Sequence, residues 1–303
     1  MNSSSFGKGI FFAASAYVLW GILPMYWKLI SAVSSLHLIC FRILFSFLLV
    51  SGILFAQKNI SWLGFFGSRR KGFLLVLEAF AISFNWGLYI WAVNGGHIIE
   101  TSLGNYMSPV ISIVLGLCFF REKLKLLQWF AFALVIAGVL ILTVFTGAPP
   151  WVSLGLAFSF SLYGLLKKNV SLTALESLGA ETLIASPFCL LLLFMPLGTT
   201  QGSVFPDWQG LFYLTELPVH TLVLFLLCGA VTTLPMYLFS KGAKMLPLST
   251  LGFVQYVNPT LTFLSGVFVF REAFPLKNLI AYGCIWTAVI LYVISLKFTP
   301  RRR

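Results

Sequence analysis

Long apolar runs, each closed by a charge cluster, a Gly or Pro, or a short polar string, repeat along the whole chain. Their limits predict ten spans, roughly 9–30, 37–56, 73–95, 100–120, 126–146, 151–167, 177–197, 220–240, 248–270 and 278–297. Each approaches the ~20 residues that cross a ~30 Å hydrocarbon core in helical conformation. The sixth run, WVSLGLAFSFSLYGLLKKN, is the shortest and is rich in Ser and Gly. The first follows Lys8, is longer than a secretory leader's apolar segment and lacks a small-x-small cleavage site, so an uncleaved first helix is expected.

One stretch occurs twice. YMSPVISIVLGLCFFRE (106–122) and YVNPTLTFLSGVFVFRE (256–272) share Tyr, Pro, Gly, Phe, Arg and Glu in the same slots. They lie in the fourth and ninth spans, and an odd number of crossings separates them, so the two copies run in opposite directions. An inverted repeat of this kind builds many secondary transporters, with the substrate site near the midplane between the halves. Weaker echoes pair LYIWAVNGGHIIETSLG (88–104) with MYLFSKGAKMLPLSTLG (236–252), and LWGIL with LYGLL.

Composition agrees with the bilayer as solvent: 59% hydrophobic, 17% aromatic and 9% charged residues, against about a quarter charged in soluble domains. The net charge of +12 forms no basic stripe and sits instead in short clusters between spans, which excludes a nucleic-acid partner. With both termini in the cytoplasm, sixteen of the twenty Lys and Arg fall inside, the exceptions being Lys28, Arg42, Arg271 and Lys277. The five cysteines all lie in apolar runs at no metal-ligand spacing, so no metal or disulfide framework is expected. Motifs of metalloproteases, serine hydrolases and nucleotide-binding loops are absent from the sequence, so neither an enzyme, a cofactor nor a primary pump is expected.

With AYVLWGILPMYWK near its start, NWGLYIWAVN before the first repeat copy, then SLYGLLKK and LPMYLFSKGAKMLPLSTLGFVQYVNPT, the chain resembles the EamA-type drug/metabolite transporter superfamily, in its RarD-like branch. The resemblance implies an all-α integral membrane protein of ten transmembrane helices in two inverted five-helix repeats, 1–147 and 148–303. It further implies a bacterial inner (plasma) membrane location and a central pathway for a small-molecule metabolite or drug moved by alternating access. A channel-like or regulatory protein without active transport is the alternative, and the oligomeric state is left open. The family's repeats commonly have Gly or another small residue before the Glu, where this chain has Arg121 and Arg271.

Polar and charged residues inside spans carry the site expectations, because burying them needs partners. On one face of the fourth span lie Asn105, Ser108, Ser112 and Gly116; their counterparts are Gln255, Asn258, Thr262 and Gly266. The small members suit helix packing, whereas Asn105, Tyr106, Gln255, Tyr256 and Asn258 are expected to wall a central pathway, with Pro109 and Pro259 as hinges. Trp20, Asn85, Trp86, Tyr89 and Tyr237 are candidates for an aromatic pocket. Arg42 is a candidate anion-attracting group from the outer side. Glu78 and Glu181 are candidates for a shared proton, with interface snorkelling as the alternative. A direct Arg42–Glu181 pair is excluded because each sits a few residues in from opposite faces, roughly 14 Å apart in depth. The Arg-Glu pairs 121/122 and 271/272 are expected to be local helix-end ion pairs.

Overall fold

A computed structural model describes residues 3–30, 35–94, 97–146, 151–194, 218–269 and 279–297. Among them the long elements are all α-helices: α1 (Ser3–Leu29), α2 (Ser35–Ala56), α3 (Arg69–Asn94), α4 (Ile98–Phe119), α5 (Leu126–Thr146), α6 (Trp151–Asn169), α7 (Ala174–Phe194), α8 (Val219–Met245), α9 (Leu248–Gln255), α10 (Val257–Phe268) and α11 (Leu279–Lys297). A 3-10 turn, Ser61–Gly67, joins α2 to α3. The apolar runs and the helices coincide closely, and the ninth run is the pair α9 and α10.

That interruption has a local cause. Pro259 has no N–H to offer the carbonyl of Gln255, and its ring crowds that carbonyl. The helix stops at Gln255; the Tyr256 N–H turns back to Phe253 O at 3.4 Å, and the Thr260 N–H picks up Tyr256 O at 3.2 Å. Its counterpart Pro109 leaves α4 unbroken. α4 is held against α6 on both sides of that proline, by Ser153 Oγ donating to Glu100 O at 2.8 Å and Ser112 Oγ to Ser161 Oγ at 3.0 Å.

Eight of these helices are long and apolar enough to cross a membrane. α6 falls short because it is flanked by protein: it packs on α3, α4 and α8, and Ser153, Ser159, Ser161 and Lys167 are buried. A helix screened from lipid needs no apolar surface, and small residues let its neighbours approach closely. The large apolar side chains left exposed, such as Phe11, Phe73, Phe80, Phe188 and Phe194, are suited to contact hydrocarbon.

Helix pairings repeat when the two sets of five are exchanged. α1 packs on α8 as α6 packs on α3; α6 packs on α4 as α1 packs on α9 and α10; α8 packs on α2 as α3 packs on α7. The pairs α2/α7, α4/α9 and α5/α11 map onto themselves. α4 and α9 run antiparallel: Tyr106 Oη donates to Pro259 O at 3.2 Å, while a Cβ on Gly252 would meet Pro109 O and one on Gly116 would meet Ser249 N. Homologous helices crossing in opposite directions are what an inverted repeat requires.

Candidate functional site

The self-paired helices α2 and α7, with their neighbours α3 and α8, line a partly open cavity whose empty space, its mouth included, is about 420 Å³. Its apolar wall includes Ile43, Val50, Ile82, Leu178 and Met236, and five hydroxyls reach it, from Ser46, Ser83, Thr182, Thr232 and Thr233. Trp86 and Glu181 complete the polar and aromatic lining. A mostly apolar concavity with a few fixed polar groups is the usual form of a small-molecule site.

Arg42 stands beside it. Its Nε donates to Thr232 Oγ1 at 2.9 Å, and its guanidinium carbon lies 4.6 Å from the Trp27 ring centroid and 5.1 Å from that of Trp86. Among the described residues no carboxylate is within ion-pair distance of it. Trp27 lies near the end of its span, where aromatics usually belt the interface, and only packing brings it onto Arg42.

Glu181 belongs to a second buried cluster. Lys167 Nζ lies 2.6 Å from Glu78 Oε1 and also bonds Glu181 Oε1, and the side chains of all three are nearly inaccessible. Ser177 Oγ accepts from Lys167 at 2.8 Å, and Tyr163 Oη donates to Glu181 Oε2 at 2.9 Å. Glu78 and Glu181, the two carboxylates expected to act together, are therefore brought together through a lysine that stands between them. Lys167, one of the sixteen Lys and Arg that the charge pattern counts as inward, is thus buried between helices. The helix period held the signal: Lys167 lies one turn after Tyr163, on the buried face of α6.

The remaining predicted residues divide into helix contacts and positions away from the cavity. Asn85 Nδ2 donates to Leu156 O at 2.8 Å and to Ser159 Oγ at 2.9 Å, fastening α3 to α6. Tyr256 Oη donates to Tyr106 O at 3.1 Å, so Tyr106 and Tyr256 lock the α4/α9 crossing from both sides, and neither lines this cavity. Trp20 sits in an aromatic cluster with Tyr17, Phe160 and Phe239. Tyr237 carries Lys241 over its ring at 4.6 Å. Tyr89 and Asn105 are exposed, Gln255 is buried where α9 ends, and Asn258 accepts from Thr262 of its own helix at 3.5 Å. None of these lines the cavity. Of the hinge pair, only Pro259 coincides with a break.

The FRE ending is also corrected. Glu122 does not pair with Arg121; its Oε1 accepts the Leu248 N–H at 2.7 Å, and its Oε2 accepts the Ser249 N–H at 2.8 Å and Ser249 Oγ–H at 2.6 Å. It thus caps the N-terminus of α9, where free N–H groups and the helix dipole favour a carboxylate. Lys168 steadies the junction from α6, donating to Leu246 O at 2.5 Å and lying 3.7 Å from Glu122. Arg121 takes φ 50°, the left-handed conformation in which glycine is unstrained, and this explains why a small residue suits that slot. The copy at Arg271 and Glu272 lies outside the described residues. Replacing Glu122 by Ala should destabilise the protein by roughly 1–2 kcal/mol, read as a lowered denaturation midpoint in detergent; an unchanged midpoint would remove the capping role.

Each half of the chain matches the EamA-like transporter family, over residues 7–144 and again over 150–294. "Uncharacterized transporter YojE" of Bacillus subtilis (strain 168) is 38% identical across 97% of this chain and 96% of its own. "Protein RarD" of Escherichia coli (strain K12) is 34% identical across 100% of this chain and 99% of its own. A solved crystal structure has the same fold with a TM-score of 0.70 at 18% identity, covering 97% of this chain and 99% of that one. A family match that falls twice on one chain, over a bundle whose pairings survive exchange of its halves, makes this multi-pass membrane protein a member of the EamA-like transporter family, with RarD proteins among its relatives.

Proposed function

We propose that the protein is a secondary transporter that carries a small organic solute by alternating access, using the cavity between α2, α3, α7 and α8. The cavity's position carries this reading. It lies among helices exchanged or paired by the internal symmetry, with Arg42 beside one wall and the Glu78–Lys167–Glu181 cluster joined to another. Rocking one five-helix set, 1–147, against the other, 148–303, would open such a cavity to one side of the membrane and then the other. The broken ninth span supplies a place for the chain to flex.

The Lys and Arg bias supports both termini in the cytoplasm and a bacterial inner-membrane location. An outside-active phosphatase fused after Gly147 should be active and one fused after Lys168 inactive; the reverse result would invert this orientation. Purified protein in liposomes should accumulate or release at least one solute from a panel of amino acids, organic acids and drugs, with or without a proton gradient. No flux for any of them would favour a channel-like or regulatory role.

A further inference from the structure

Arg42 is a cation beside an apolar cavity with no anion of its own. One of its five N–H groups, on Nε, is used by Thr232. The four on the two Nη atoms find no acceptor among the described residues. Trp27 and Trp86 stabilise the charge through their ring faces but accept no such bonds. Thr232 Oγ1 receives the Nε–H, which leaves the threonine's own hydrogen free to donate. Thr233 Oγ1, buried and facing the same cavity, has no partner either. Thr232 thus ties Arg42 to the wall where Thr233 also stands, and among the described residues no acceptor meets these remaining donors. A planar carboxylate matches the guanidinium edge with two parallel bonds.

The opposite wall does not serve a cation. Glu181 is the carboxylate at the cavity, and its two oxygens are taken by Lys167 and Tyr163.

We propose that the cavity selects small organic anions, holding a carboxylate on the free edge of Arg42 beside the Thr232 and Thr233 hydroxyls, with the ligand's apolar or aromatic body along Trp86 and Met236. This rests on the transport reading and names its substrate class. An anionic lipid headgroup offers the same chemistry as a free acid, and the lipid composition of the nanodiscs below separates the two.

The test is calorimetric binding to purified protein in nanodiscs of zwitterionic lipid, with phenylacetate, hexanoate, phenylacetamide and phenethylamine as probes. At least one acid should bind, and phenylacetamide and phenethylamine should bind about tenfold or more weakly than phenylacetate, since a hydrogen bond to a charged group is lost. Arg42→Gln should bring acid and amide to equal affinity, and Arg42→Lys should restore part of the preference. Equal affinity for acid and amide in the wild type, no acid binding at millimolar concentration, or a preference unchanged in a folded Arg42→Gln protein would each overturn the proposal. If nanodiscs containing phosphatidylglycerol abolish acid binding at every concentration, the site belongs to lipid and the proposal also falls. Amide or amine flux in liposomes without acid binding would overturn the anion assignment and leave transport standing; acid binding without any flux would do the opposite.

Discussion

Lys167→Met should be the most damaging single substitution in the protein, lowering its stability by about 3–5 kcal/mol, because it removes the cation from between two buried carboxylates. Glu78 comes from α3, Lys167 from α6 and Glu181 from α7, so the ammonium ties one helix of the first five to two of the second. Without it, Glu78 and Glu181 face each other and Ser177 with no cation bonded between them, in a place water hardly reaches. Denaturation in detergent, followed by helical signal or by size exclusion after heating, reads the loss. The triple variant Glu78→Gln, Lys167→Met, Glu181→Gln should regain most of it, since replacing all the charges together leaves none stranded. A Lys167→Met protein as stable as the wild type would show that the cluster holds nothing together.

Gly229→Ala should be the second, acting by volume instead of charge. A Cβ built at Gly229 would stand 2.5 Å from Phe45 Cβ, 2.7 Å from Phe45 C and 2.9 Å from Ser46 N. Two of those atoms are backbone and cannot swing aside. Restoring ordinary carbon contacts near 3.5 Å would part α2 and α8 by about 1 Å. The expected cost is roughly 1–3 kcal/mol. The Ser46 Oγ bond to Gly229 O, 3.1 Å, would lengthen with it. Since Ser46, Thr232 and Thr233 line the cavity within a turn of this contact, solute flux should fall further than stability does. Gly52→Ala is the matched control: the same helix α2 and the same added methyl, with nothing within 4 Å, so stability should hold or rise by up to ~1 kcal/mol. Equal behaviour of the two variants would show that the α2–α8 approach is not tight.

Much of the architecture was readable because the bilayer imposes simple rules. Apolar runs of fixed length report spans, and an odd number of crossings between two copies reports inversion. Pro259 told its own story through a missing N–H. The site was read less well, for one reason seen in several residues. Asn85, Tyr106 and Tyr256 look like polar groups needing a ligand, but a neighbouring helix supplies their partners: Leu156, Pro259 and Tyr106 itself. Nothing within a span states which helix lies beside it. Lys167 was misread from the opposite direction, since a lysine two residues from a helix end resembles a flanking charge until α3 and α7 close over it.

The repeated stretch shows where the division falls. The sequence alone determined that the chain is a series of ten apolar runs suited to a membrane, that its halves are inverted copies and that Arg42, Glu78 and Glu181 are costly where they stand, because each of these follows from residue type and position along one helix. Only the tertiary structure decided that the copies cross at Tyr106 and Tyr256, that Glu122 caps a helix 126 residues further on, that Lys167 joins two carboxylates, and that Arg42 bonds Thr232 of the cavity wall and meets no carboxylate among the described residues. Those outcomes depend on which faces of different helices meet, and that is a property of the packed bundle as a whole.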